Sequence, residues 1–83
     1  MNDTVKKSKW MIQFEHYLKE DEKSKVTIEK YLRDVRSFLE FIGQKDITKQ
    51  QTIAYKKYLS ERYAVSSVNS MLVAMNAFLR FIQ

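Results

Sequence analysis

The sequence predicts an all-α fold built from two similar helical hairpins, and three observations carry that prediction. An apolar stripe occurs twice, forty residues apart: Ile28, Tyr31, Leu32, Val35, Phe38, Leu39 and Ile42, then Val68, Met71, Leu72, Met75, Phe78, Leu79 and Ile82. Both copies keep one face of a 3.6-residue helix apolar for about four turns. The segments ahead of them also correspond, Phe14-x-x-Tyr17-Leu18 against Tyr55-x-x-Tyr58-Leu59, and off the stripe Phe41 coincides with Phe81. Finally, a single glycine and no proline exclude most turn-rich β architectures.

Residues 1–8 are polar, charged and aperiodic, and read as a flexible arm ahead of a domain spanning 9–83. A first helix from Ser8 or Lys9 to Lys19 buries Trp10 or Met11 with Phe14, Tyr17 and Leu18. Glu20-Asp21-Glu22-Lys23 forms a polar connection, and Ser24 offers its hydroxyl to the orphan amides of the second helix. Gly43 suits the left-handed residue that closes that helix. Thr48-x-x-Gln51 has the form of a capping box opening a third helix, which ends near Arg62 or Tyr63. The fourth helix runs from about Ser66 to Ile82. Ile28, Leu32, Val35, Leu39, Leu72, Met75 and Leu79 are expected in one core, and the isolated domain is expected to be a monomer.

Composition narrows the function. Eighty-three residues make one domain near the lower limit for a core without covalent help. With no cysteine and only His16, neither disulfides nor the usual zinc clusters are available, and no metal or cofactor is expected. No run reaches the ~20 apolar residues that cross a bilayer, and no apolar run follows Lys6, Lys7 and Lys9 as in a signal peptide. A cytoplasmic chain without a membrane partner is expected. The net charge of +5 is unevenly spread. Residues 43–64 carry Lys45, Lys49, Lys56, Lys57 and Arg62 against Asp46 and Glu61, which suits either a solvated surface or an anionic partner such as nucleic acid.

Catalytic groups do not converge in the pattern. His16 lies one position off the apolar stripe of the first helix, Gly43 is too isolated for a phosphate loop, and Glu20 and Glu22 fall in a polar connection. Tyr17, Tyr31, Tyr55 and Tyr58 sit at helical spacing beside apolar residues, as core-edge groups with polar tips. The polar faces of the second and fourth helices are more suggestive. Lys25, Thr27, Lys30, Arg33 and Ser37 flank the first stripe; Ser66, Ser67, Asn69, Ser70, Asn76 and Arg80 lie opposite the second. Short hydroxyls, amides and a few cations near helix N-termini suit phosphates and base edges.

These residues carry a resemblance. Ser24-x-x-Thr27-Ile28-x-x-Tyr31-x-x-Asp34-Val35-x-x-Phe38-x-x-Phe41 resembles the helix signature of the core-binding domain of tyrosine recombinases, the phage-integrase and Xer group. Phe14-x-x-Tyr17-Leu18 is similar to that domain's first helix, and Ser67-Val68-Asn69 with Phe78-Leu79-Arg80-Phe81 to its last. The match covers roughly residues 8–83. It implies a four-helix, SAM-like domain of two crossed hairpins that forms half of a C-shaped clamp around a recombination site.

By the same resemblance, the second and fourth helices approach the major groove of double-stranded DNA. Contacts are implied from Lys25, Thr27, Lys30 and Arg33 and from Ser66, Ser67, Asn69 and Ser70. Two positions depart from the pattern. Ser66 stands where a basic residue is often found, at the expense of a phosphate contact, and Ala64 at the cap position implies a later or frayed start of the fourth helix. The family's catalytic half uses two arginines, a His-x-x-Arg element and a tyrosine nucleophile. Here His16 is followed three positions on by Lys19, so the expectation is a fragment of a mobile-element integrase that binds DNA and does not cut it, with the parent's catalytic domain as its other partner. A competing reading is a helical SAM-like protein-interaction module. It predicts an exposed apolar patch around Phe41, Phe81 and Met71.

Overall fold

The computed structural model describes the backbone of residues 2–82 and the side chains of residues 7–82. Four helices follow one another, α1 (Asn2–Glu20), α2 (Lys25–Ile42), α3 (Lys49–Arg62) and α4 (Val65–Ile82), with no strand among the described residues. The helices pair as two hairpins, α1–α2 and α3–α4, and the most extensive packing is between α2 and α4. The molecule measures 33 × 33 × 18 Å, its short axis close to two helix diameters.

Helix ends follow local chemistry. The Ser24 hydroxyl accepts from the Thr27 amide at 3.2 Å, and the Thr48 hydroxyl from the Gln51 amide at 3.2 Å. α1 closes on a Schellman turn: the Lys23 amide donates to the Leu18 carbonyl at 3.3 Å and the Glu22 amide to that of Lys19 at 3.0 Å. Glu22 takes φ 59 there, a place that glycine usually fills. Gly43 does close α2, with φ 65, ψ −128 and its amide on the Leu39 carbonyl. A Cβ at Gly43 would meet nothing within 4 Å, so only backbone strain opposes a substitution. Gly43→Ala is therefore expected to lower stability by about 1–2 kcal/mol. Urea denaturation of the two proteins checks this, and equal midpoints would refute it.

Two expected boundaries shift. Residues 2–8, expected as an arm, continue α1 as helix. No helix breaker stands between Asn2 and Ser8, and Lys7 donates its ammonium to the carbonyls of Gly43 and Lys45 just past the end of α2. At the other end, α4 starts without delay after Ala64, whose carbonyl accepts the Val68 amide at 3.0 Å.

The core gathers Phe14 and Leu18 from α1, Ile28, Val35, Phe38, Leu39 and Ile42 from α2, Tyr55 and Leu59 from α3, and Val68, Ala74, Met75, Ala77 and Phe78 from α4. Of the seven residues expected at its centre, Ile28, Val35, Leu39 and Met75 are buried, whereas Leu32, Leu72 and Leu79 are only half-buried. These three leucines share one edge of their stripes. α4 is rotated away from that edge, so that Ala74, Ala77 and Phe78 face inward instead.

The internal repeat has a structural meaning. Phe81 of α4 packs on Phe14 and Tyr17 of α1, with centroids 5.4 and 5.1 Å away. Phe41 of α2 packs on Tyr55 and Tyr58 of α3 at 5.1 and 4.9 Å. Phe78 meets Phe14 at 5.3 Å, as Phe38 meets Tyr55 at 5.1 Å. Each repeat's second helix thus packs on the first helix of the other repeat, which makes the two halves interdependent. α4, with mean hydropathy 1.3 over 18 residues, is long and apolar enough to cross a membrane by length and composition alone, although no unbroken apolar run is present. Its buried residues are those that complete this aromatic core.

Candidate nucleic-acid interface

α2 and α4 border a cleft of about 490 Å³, into which Lys30, Arg33, Ser66, Ser67 and Ser70 all project. The fold thus brings together five of the eight residues expected to touch DNA. Lys25 stands apart and exposed in the first turn of α2. The Thr27 hydroxyl is taken up in the cap, accepting from the Ser24 hydroxyl at 2.9 Å. Asn69 is exposed and does not line the cleft.

The cations of the cleft differ in availability. Lys30 is half-buried and engaged by the protein itself: its ammonium lies 2.6 Å from the Asp34 carboxylate and donates to the Ser70 carbonyl at 2.7 Å. Asp34 is only 6% exposed, the one buried charged residue among those described. Arg33 lies 4.0 Å from the other carboxylate oxygen, but its side chain is 70% exposed and its guanidinium faces solvent. The open positive charge of the cleft is therefore that of Arg33.

Across the cleft lies the start of α4. α2 and α3 open on Ser24 and Thr48, whose hydroxyls cap their own helices. α4 opens on Ala64, which has no side-chain acceptor, so the leading amides of Val65, Ser66 and Ser67 keep their helix-terminal donor character. The exposed hydroxyls of Ser66 and Ser67 add further donors. Arg33, these amides and these hydroxyls together present hydrogen-bond donors and one positive charge to the cleft, a chemistry complementary to an anion.

Behind the cleft, a smaller cavity of about 280 Å³ is lined by Ser37, Tyr55, Tyr58, Tyr63 and Met71 among others. The Tyr55 hydroxyl is buried there without a hydrogen-bond partner among the described residues. Burial first, and the Asp34 charge second, push its pKa up to about 12. In the unfolded chain the phenol titrates near 10, so from pH 10 to 12 the unfolded state loses its proton first. The contribution of Tyr55 to stability is then expected to be constant below pH 10 and to fall by on the order of 3 kcal/mol as the pH rises through 12. Tyr55→Phe removes this step and, by deleting an unpaired buried hydroxyl, leaves stability at pH 7 unchanged or slightly higher. Denaturant melts across that range check both statements.

Asp34 and Tyr63 were not among the expected site residues, although both line the cleft. The signal for Asp34 was its i,i+4 spacing from Lys30. Tyr63 carried no local signal beyond its place at the end of a helix. Phe41, Phe81 and Met71, which the interaction-module reading needs exposed, are half-buried and packed on the core. The large exposed apolar residues, Ile12, Tyr17, Val26, Ile53, Tyr63, Val65 and Val73, are distributed over all four helices and the α3–α4 corner.

Residues 11–83 match the family model for the phage integrase N-terminal SAM-like domain. No curated protein and no solved structure matches the chain.

Proposed function

The chain belongs to the phage integrase N-terminal SAM-like family, and from that membership we propose that it is the DNA-holding part of a site-specific recombinase, presenting α2 and α4 to the major groove of double-stranded DNA. In this reading it forms one half of a clamp in the cytoplasm, does not cut DNA itself, and works beside a catalytic domain of the same parent protein. The observation that carries the reading is the facing of Arg33 and the uncapped start of α4 across one cleft. Phosphate meets a guanidinium on one side and helix-terminal amides on the other. Lys25 supplies a further cation at the first turn of α2, and Asn69 an amide able to pair with a base edge.

Titration with duplex DNA, followed by backbone amide shifts and by fluorescence anisotropy, tests the proposal. Binding is expected to be weak for an isolated half-clamp, roughly 10⁻⁴–10⁻⁶ M at physiological salt. Its logarithm should fall with log salt at a slope of roughly −2 to −3, about −0.9 for each phosphate neutralised. Arg33→Ala removes about one such increment on every sequence, whereas Asn69→Ala alters the preference between sequences. Shifts should cluster at Lys25–Arg33 and Ser66–Val73. The absence of shifts at low salt would overturn the proposal in favour of a protein-interaction module.

A further inference from the structure

Lys30 and Ser70 occupy equivalent places in the two apolar stripes, each two residues after the stripe's first member, Ile28 or Val68. They also touch, through the Lys30 ammonium and the Ser70 carbonyl at 2.7 Å. A contact between equivalent positions lies where two repeats meet about their common axis, and there a small change alters the orientation of one hairpin against the other. The repeats differ beside it: Asp34 in the first corresponds to Ala74 in the second, so a carboxylate enters this buried junction from one side only. Lys30 answers that carboxylate at 2.6 Å while reaching across to α4.

We propose that Lys30 and Asp34 are a positioning pair that holds the first turns of α4 against α2, and that Lys30 does not contact phosphate. The Lys30 side chain is 28% exposed, against 70% for Arg33; its ammonium is ion-paired with Asp34 and donates to the Ser70 carbonyl. Removing its ammonium from Asp34 to pair with DNA would strand a buried carboxylate. The pair instead keeps Ser66 and Ser67 opposite Arg33, so that one phosphate can meet both sides of the cleft. For its consequence on DNA, the inference rests on the binding function proposed above.

The test compares the intact chain with Lys30→Met, Lys30→Arg and Asp34→Asn. In the DNA-free proteins, the amide signals of Ser66–Ser70 are expected to move in Lys30→Met and Asp34→Asn and to return in Lys30→Arg, which can span both acceptors. With duplex DNA, Lys30→Met should weaken binding roughly tenfold while leaving the slope of log affinity against log salt unchanged, and Lys30→Arg should recover the affinity. A slope reduced by about 0.9 in Lys30→Met would make Lys30 a phosphate contact and overturn the proposal. So would unmoved Ser66–Ser70 signals, or a lowered melting temperature with unchanged affinity of the folded protein. Should Lys30→Met fail to fold, Lys30→Gln gives the slope reading, and Asp34→Asn decides the positioning role through the Ser66–Ser70 signals, which overturn it if they do not move. If the intact chain binds no duplex at low salt, the DNA-binding function fails, and the signals of the free proteins still decide whether the pair positions α4.

Discussion

Phe78→Ala is expected to cost about 3–5 kcal/mol, enough to unfold much of the population of a small domain at 37 °C. Phe78 is fully buried and joins α4 to α1 through edge contacts with Trp10 at 5.9 Å and Phe14 at 5.3 Å. Its removal opens a void that the facing rings cannot close, because each is already held by other neighbours. Phe14, for instance, also packs on Tyr17 and Phe81. Leu72→Ala, at a half-buried position on the stripe's edge, should cost about 1–2 kcal/mol, since only part of the side chain leaves water on folding. Urea midpoints measured at a common m-value order the two. If Leu72→Ala proves as costly as Phe78→Ala, the core is centred on the leucine edge and the rotation of α4 described above is wrong.

Lys30→Met is expected to cost about 2–3 kcal/mol in the DNA-free protein. Breaking a fully buried ion pair costs about 3–5 kcal/mol, because the remaining charge stays desolvated. Here the penalty is reduced, since Lys30 keeps 28% exposure and Arg33 stands 4.0 Å from the other oxygen of Asp34. The double substitution Lys30→Met with Asp34→Leu should recover most of the loss, for two apolar groups at this junction need no solvation. A single-variant loss below about 0.5 kcal/mol would place the pair among ordinary surface ion pairs.

The caps at Ser24 and Thr48, the closing glycine at 43, the four helices and the repeat were all legible in the sequence. Each is set by interactions within three or four residues, or by a period that survives in one dimension. The resemblance to integrases rested on the same kind of spacing and agrees with the family match over 11–83. The candidate site was legible in part. Arg33, Ser66 and Ser67 were picked out by residue type, but the cleft that gathers them is a product of packing.

What only the tertiary structure decided depends on contacts forty or more residues apart. A seven-residue apolar stripe is wider than the seam it fills, so periodicity left open which edge would face inward, and packing buries Ala74, Ala77 and Phe78 of α4, Phe78 against Trp10 and Phe14 of α1. One local feature is also silent in the sequence: the Schellman turn at Glu22, closed by bonds three and five residues long, has no glycine to announce it. Lys30 reads in the sequence as an open cation on a polar face, with Asp34 one turn away. Its second acceptor, the Ser70 carbonyl, belongs to a helix whose direction and depth no local pattern specifies. Sequence spacing shows which groups share a helix face. The availability of a charge to a partner depends on what the facing helix has already placed within hydrogen-bond reach of it.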